Sequence, residues 1–174
     1  SAQSLDIWMN NQMLLDNHLF QKASPYLEVP ANQNLTFSVL PQTSISPDNP
    51  LTSLNLTLES GKHYIILLDG IASSSGYSPL TPVSMEIFAN ARTIALNNTK
   101  IDVLFHHGSI DAPEYSVFDF SMNSIFEGLS YTMYSSYTEV NSTDQGWHLI
   151  SGNGILKSYQ VPLNTLQHTG KAVL

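Results

Sequence analysis

Apolar side chains in this sequence recur at every second residue, and that period dictates strands. Leu35, Phe37 and Val39 alternate with Asn34, Thr36 and Ser38, and Leu54, Leu56 and Leu58 alternate with Asn55 and Thr57. Successive side chains of an extended chain point to opposite faces, so this spacing gives one apolar and one polar face. Residues 63–68 form a short, nearly continuous apolar run and predict a strand covered on both faces. Further strands are predicted over 5–9, 83–88, 101–106, 116–120, 135–140, 146–150 and 156–161. No segment carries a sustained apolar stripe at helical spacing. Residues 89–96 alone predict a short turn of helix. The fold class is all-β, an antiparallel β-sandwich.

Turn chemistry separates the strands. Asn10-Asn11 predicts a hairpin turn with positive φ. Pro47-Asp48-Asn49-Pro50, Ser60-Gly61-Lys62 and Gly152-Asn153-Gly154 are loop signals, and residues 71–82 form the longest irregular stretch.

Composition then narrows the function classes. Only 11 % of residues are charged, against about a quarter in an ordinary soluble domain. Asn, Ser and Thr solvate the surface instead, a usage that points to a secreted, extracellular or cell-surface protein. Six basic against fourteen acidic residues give a net charge of −8. No basic patch is available to displace the counterions of a phosphate backbone, which argues against a nucleic-acid partner. The absence of cysteine removes disulfides, thiolate nucleophiles and cysteine-bound metal centres. No apolar run approaches the roughly 20 residues of a membrane-spanning helix. The chain opens at Ser1 without an initiator Met, which reads as a processed, trimmed or excised sequence.

An internal repeat organises the chain. Residues 5–29 lie on residues 116–140 without a gap, matching Leu14-Leu15-Asp16 to Ile125-Phe126-Glu127, Tyr26 to Tyr137 and Glu28-Val29 to Glu139-Val140. Downstream, residues 58–62 recur loosely as 166–171, ending in Gly-Lys both times. Two matches in the same order predict a tandem duplication, with one sandwich over residues 1–95 and another over 96–174.

Ser24-Pro25-Tyr26-Leu27-Glu28-Val29-Pro30 and the strand after it form one motif. Phe105-His106-His107-Gly108-Ser109-Ile110-Asp111-Ala112-Pro113 forms a second. On these residues the chain resembles the family catalogued as domain of unknown function 4397. There a hydrophobic strand is followed by His, a small residue and Ser-Pro-Asp-Ala-Pro. The likeness covers most of the chain as two incomplete copies. Ile110 stands where Pro is usual, and Ser135-Ser136-Tyr137 where Ser-Pro-Tyr is usual. The resemblance implies immunoglobulin-like sandwiches in tandem, in exported prokaryotic surface proteins, with no catalytic residues or cofactor. It also implies that the first copy lacks its opening strand and the second its closing strands.

Incomplete sandwiches leave apolar edges. Truncation explains them; so does completion by strands from neighbouring chains, which builds a fibre. The inter-subunit strands expected on that second account are Ser4, Leu5, Asp6, Ile7, Trp8 and Met9 at one end. Lys171, Ala172, Val173 and Leu174 are expected at the other. The function expected is a structural subunit that self-associates into a homopolymer. The alternative is an adhesive carbohydrate- or protein-binding module of a larger surface protein.

Discrete chemical sites are sparse. Asn34, Asn55, Asn97 and Asn141 head the four Asn-x-Ser/Thr sequons and are glycosylation candidates. His106 and His107 are adjacent, so on a strand they point apart and do not share a metal. Asp111 and Glu114 are calcium candidates with no Asp-rich repeat to support them; Asp111 reads as a turn residue. Trp8, Trp147 and the repeat-equivalent Tyr26 and Tyr137 read as core packing in preference to a sugar platform. No nucleophile elbow, phosphate loop or zinc-protease motif is present, so no enzyme is expected. A hydrolase would need two carboxylates converging in a cleft.

Overall fold

The computed structural model describes residues 4–19, 21–73, 75–76, 78–152 and 154–174. Ser74, Tyr77 and Asn153, which fall in segments read as loops, lie outside them. Among the described residues the chain is all-β, with thirteen strands and no helix. It divides into two compact units, Ser1–Asn90 and Ala91–Leu174.

In the first unit, β1 (Leu5–Met9), β2 (Gln12–His18), β3 (Asn34–Pro41) and β4 (Thr52–Thr57) form an antiparallel sheet in the order β2-β1-β3-β4. A smaller sheet holds β5 (His63–Asp69) and β6 (Ser84–Ala91). The alternation in β3 sends Leu35, Phe37 and Val39 inward, where they meet Met9 and Leu58. Met85 of β6 and the partly buried Tyr64, Ile66 and Leu68 of β5 join the same cluster. Both sheets thus share one core, which makes the unit a sandwich. Each large side chain buried there contributes about 1.5–3 kcal/mol.

The turn residues behave as their chemistry requires. Asn10 has φ +52° and closes the β1–β2 hairpin, as the sequence predicts. Its side-chain oxygen accepts from the Thr36 N–H at 2.9 Å, and its own N–H donates to the Thr36 carbonyl at 2.7 Å. Gly70 follows β5 at φ +88°, and a Cβ there would stand 2.2 Å from the Pro82 carbonyl oxygen, so no larger residue fits.

The second unit contains β7 (Lys100–Val103), β8 (Tyr115–Asp119), β9 (Ser124–Leu129), β10 (Thr138–Asn141), β11 (Gln145–Ser151), β12 (Gly154–Val161) and β13 (Ala172–Val173). Its larger sheet has the order β12-β11-β8-β9, and its smaller one β10-β7-β13. Ile101 and Val103 from the smaller sheet pack on Val117 and Trp147 from the larger. The larger sheets of the two units therefore share one topology: β9-β8-β11-β12 repeats β2-β1-β3-β4 in chain order. One pair departs from the antiparallel expectation, since β13 runs parallel to β7.

Three expectations are corrected. Residues 89–96 form no helix: β6 runs on to Ala91, and Ile94 bridges Lys171. The segment after Ala91 packs with the second unit, so the division falls five residues before the expected one. β5 is not covered on both faces, because its apolar run is half-buried throughout. Among the described residues the smaller sheet has three strands in the second unit and two in the first.

Two aspartates fasten turns of the second unit. Asp119 accepts from the Asn123 side chain and from the Asn123 and Ser121 N–H groups, all at 2.8 Å. Asp144 accepts from the Thr165 hydroxyl and from the Thr165 and Asn164 N–H groups. These bonds favour the carboxylate; the Asn123 side chain leads at Asp119 and the Thr165 hydroxyl at Asp144, and both carboxyls fall below the usual range. A depressed folded value gives stability that is complete above the unfolded value, about 3.9, and is lost as pH falls through the folded one. The second unit should therefore weaken below about pH 4. Acid unfolding of Asp144→Ala should show a shallower decline over that window than the unaltered chain. An identical slope would remove Asp144 from this role.

Candidate functional site

The two units differ most in the strand that fills the centre of the smaller sheet. In the second unit β7 holds that place. It pairs antiparallel with β10, Val140 opposite Ile101 and Thr138 opposite Val103. On its other side it pairs parallel with β13, Ala172 beside Asp102 and Val173 beside Val103. Ile101 is fully buried, and Val103 and Leu104 nearly so.

Among its described residues the first unit holds counterparts of the two segments that flank β7. Residues 27–30 correspond in the repeat to β10, yet residues 24–30 belong to no strand. β5 corresponds to β13, since Gly61-Lys62 precedes it as Gly170-Lys171 precedes β13. Among the described residues β5 forms its sheet with β6. β13, by contrast, bonds β7 on one side and residues 93–95 on the other, the Ala172 N–H donating to the Thr93 carbonyl. Tyr26 stands edge-on to His63 at 5.4 Å between ring centroids, which brings the β10-like segment beside the start of β5. Tyr26 is 55 % exposed and Leu27 42 %. Around this place Ile65 and Leu67 point away from the core on the outer face of β5, half-exposed.

The strands expected to join subunits are engaged inside their own units. β1 is an interior strand, bonded to β2 on one side and β3 on the other, so residues Leu5 to Met9 have no free edge. Ser4 is buried beside Gln42. At the other end Lys171, Ala172 and Val173 bond both β7 and residues 93–95, and Leu174 follows them half-exposed.

The tyrosines expected to pack alike do not. Tyr137 stacks under the Arg92 guanidinium, 4.3 Å from the ring centroid, and its hydroxyl accepts from the Arg92 N–H. Its counterpart Tyr26 is largely in solvent. Trp8 and Trp147 are buried and offer no sugar platform.

The remaining candidates resolve simply. His107 is buried, its Nε2 bonding the Pro113 carbonyl at 3.0 Å while Nδ1 accepts from the Ser109 N–H. His106 packs on Tyr134. Asp111 accepts from the Ser109 hydroxyl, a side-chain contact within the turn, and Glu114 accepts from the Ser130 hydroxyl. Among the described residues no three His, Asp or Glu side chains are placed to hold a metal. Glu114 and Glu127 line one shallow concavity of about 290 Å³ with Phe118 and Ile150. It is open to water.

Asn34, Asn55 and Asn141 are exposed, and Asn97 is half-buried. The first two sequons face each other across β3 and β4: Asn34 lies opposite Thr57 and Thr36 opposite Asn55. The Thr36 hydroxyl donates to the Asn55 side chain at 2.7 Å, a neutral ladder on the solvent face. The Asn97 side chain accepts from both the N–H and the hydroxyl of Thr99, and Asn141 accepts from Lys100. Comparison of the chain with protein-family models, curated proteins and solved structures gives no match.

Proposed function

We propose that this chain is a structural subunit of an extracellular or cell-surface assembly, a fibre whose copies are joined by β-strand complementation. The observation that carries this reading is the smaller sheet of the first unit, which among the described residues has two strands where that of the second has three. An open sheet edge beside half-exposed apolar side chains is a template for pairing with another chain. Exchange of that kind is head-to-tail and does not close, so it propagates. A surface poor in charge and rich in Asn, Ser and Thr supports an external location, as does the resemblance to tandem immunoglobulin-like repeats. The reading assigns the chain no catalytic step and no cofactor.

A second reading, an adhesive carbohydrate-binding module, has one observation in its favour. Phe120, 47 % exposed, stacks on His148 at 4.6 Å and lies flat over Gly146, a small ring surface open to solvent. Electron microscopy of the native material separates the two. Filaments that persist in mild denaturant and dissolve to uniform subunits are the expected result. Monodisperse particles at every concentration would sink the fibre and leave the adhesive module.

A further inference from the structure

On the outer face of the larger sheet of the second unit, a concavity runs into a surface of stacked rings. We propose that this face is a saccharide-binding site for neutral pyranose chains with equatorial hydroxyls. The proposal gives the adhesive reading above its site and rests on that reading; it does not depend on polymerisation.

β8 and β11 build the floor. Val117 and Trp147 turn into the core, so Ser116, Phe118, His148 and Ile150, which alternate with them, turn outward. Phe118 lies opposite His148 and Ser116 opposite Ile150. Beyond the end of β8 the Phe120 N–H donates to the Gly146 carbonyl at 3.0 Å, which extends the ladder by one pair. From Ser116 to Phe120 the face runs about 13 Å. At one end Phe120 and His148 stack, 4.6 Å between centroids and 26° between planes. The Ser158 hydroxyl bonds His148 Nδ1 at 2.7 Å and so fixes the imidazole. Gly146 makes room for the Phe120 ring, because a Cβ there would stand 2.3 Å from it.

At the other end lies the concavity of about 290 Å³, close to the lower bound of small-molecule sites. Phe118 and Ile150 line it too, so the floor is continuous with the rings. Its rim supplies acceptors. Glu114 Oε2 takes the Ser130 hydroxyl at 2.8 Å, which holds the carboxylate in place. Glu114 Oε1 lies on the side of Gly128, 3.7 Å from where a Cβ would be, and residue 128 has no side chain to screen it. Glu127 brings a second carboxylate to the rim.

These two parts call for one chemistry. A pyranose with equatorial hydroxyls turns its axial C–H bonds to the negative face of an aromatic ring. The hydroxyls at its edge then donate to the carboxylates as charge-assisted bonds. An acidic sugar is disfavoured, since both glutamates and the net charge of −8 repel it. A basic side chain would satisfy the carboxylates and leave most of the floor uncovered, which makes a basic peptide the competing occupant.

The test is a titration of the full chain with cellotriose, followed by NMR at each amide. Millimolar cellotriose should shift the amides of residues 116–120 and 146–151. Phe120→Ala should weaken binding about fivefold and Glu127→Gln about tenfold. Both side chains are exposed, so both variants should keep the thermal midpoint of the unaltered chain. The corresponding uronic acid trimer should leave the amides unchanged. No shift with cellotriose, shifts on another face, or binding that both variants leave intact overturns the site. Trilysine shifting these amides more strongly than cellotriose overturns it as well. Retention of the chain on immobilised glycans is measured in parallel. Retention that survives Phe120→Ala overturns the site and spares the adhesive reading; cellotriose binding here in a chain that no glycan retains does the reverse.

Discussion

Truncating Ile101 to alanine should lower the unfolding free energy of the second unit by about 2–5 kcal/mol, the range for a fully buried branched side chain cut back to Cβ. Ile101 has no exposure at all and sits on the central strand of the smaller sheet. It packs in one cluster with Val103, Val117, Trp147 and Leu163. β10 and β13 hold β7 from both sides, so the backbone resists collapsing into the void, and the loss should lie in the upper half of that range. Each unit has one buried tryptophan, so denaturation in a Trp8→Phe background reads the second unit through Trp147. The effect should appear in the denaturation midpoint with little change in slope. A loss under about 1 kcal/mol would mean that β7 does not carry this core.

How much of this was legible beforehand follows from which forces are local. Strand positions were legible because the alternation in β3 and β4 is itself the burial pattern: Leu35 and Val39 are fully buried, and Asn34 and Asn55 are exposed. The hairpin at Asn10 was legible because Asn tolerates positive φ better than most residues. Sheet order was not, since it depends on which strands meet across long separations. Residues 5–9 read as an edge when considered as a chain end, and the fold threads them between β2 and β3. The run at 63–68 read as doubly covered because its composition does not state how far each face is buried, and the fold leaves it half-buried. Residues 89–96 read as a turn of helix because Arg92 gave no local hint of its partner. That partner, Asp102, lies in β7 beyond an irregular stretch, and only the folded chain brings the two together.

Replacing Asp102 by alanine should cost the second unit about 2–4 kcal/mol, somewhat below the range for breaking a fully buried ion pair. Asp102 lies on the outer side of β7, yet its side chain is only 4 % exposed. One oxygen accepts from the Arg92 guanidinium at 2.8 Å and from the Leu96 N–H at 2.9 Å, so a single carboxylate fastens both ends of residues 92–96. Arg92 keeps 28 % of its side chain in contact with water, which tempers the penalty of leaving it alone. The pair also answers a like-charge problem, because Asp102 sits opposite Glu139 in the β7–β10 ladder, and like charges so placed repel. Asp102→Asn retains an acceptor for Leu96 and relieves that repulsion, so it should lose clearly less than Asp102→Ala. Arg92→Ala removes the compensating charge and the contact with Tyr137 together, and should approach the alanine variant at Asp102. Because the two side chains act through one contact, the double variant should lose less than the sum of the single losses. Strict additivity would show that Arg92 and Asp102 stabilise the unit independently, with Arg92 acting through Tyr137 and Asp102 through Leu96.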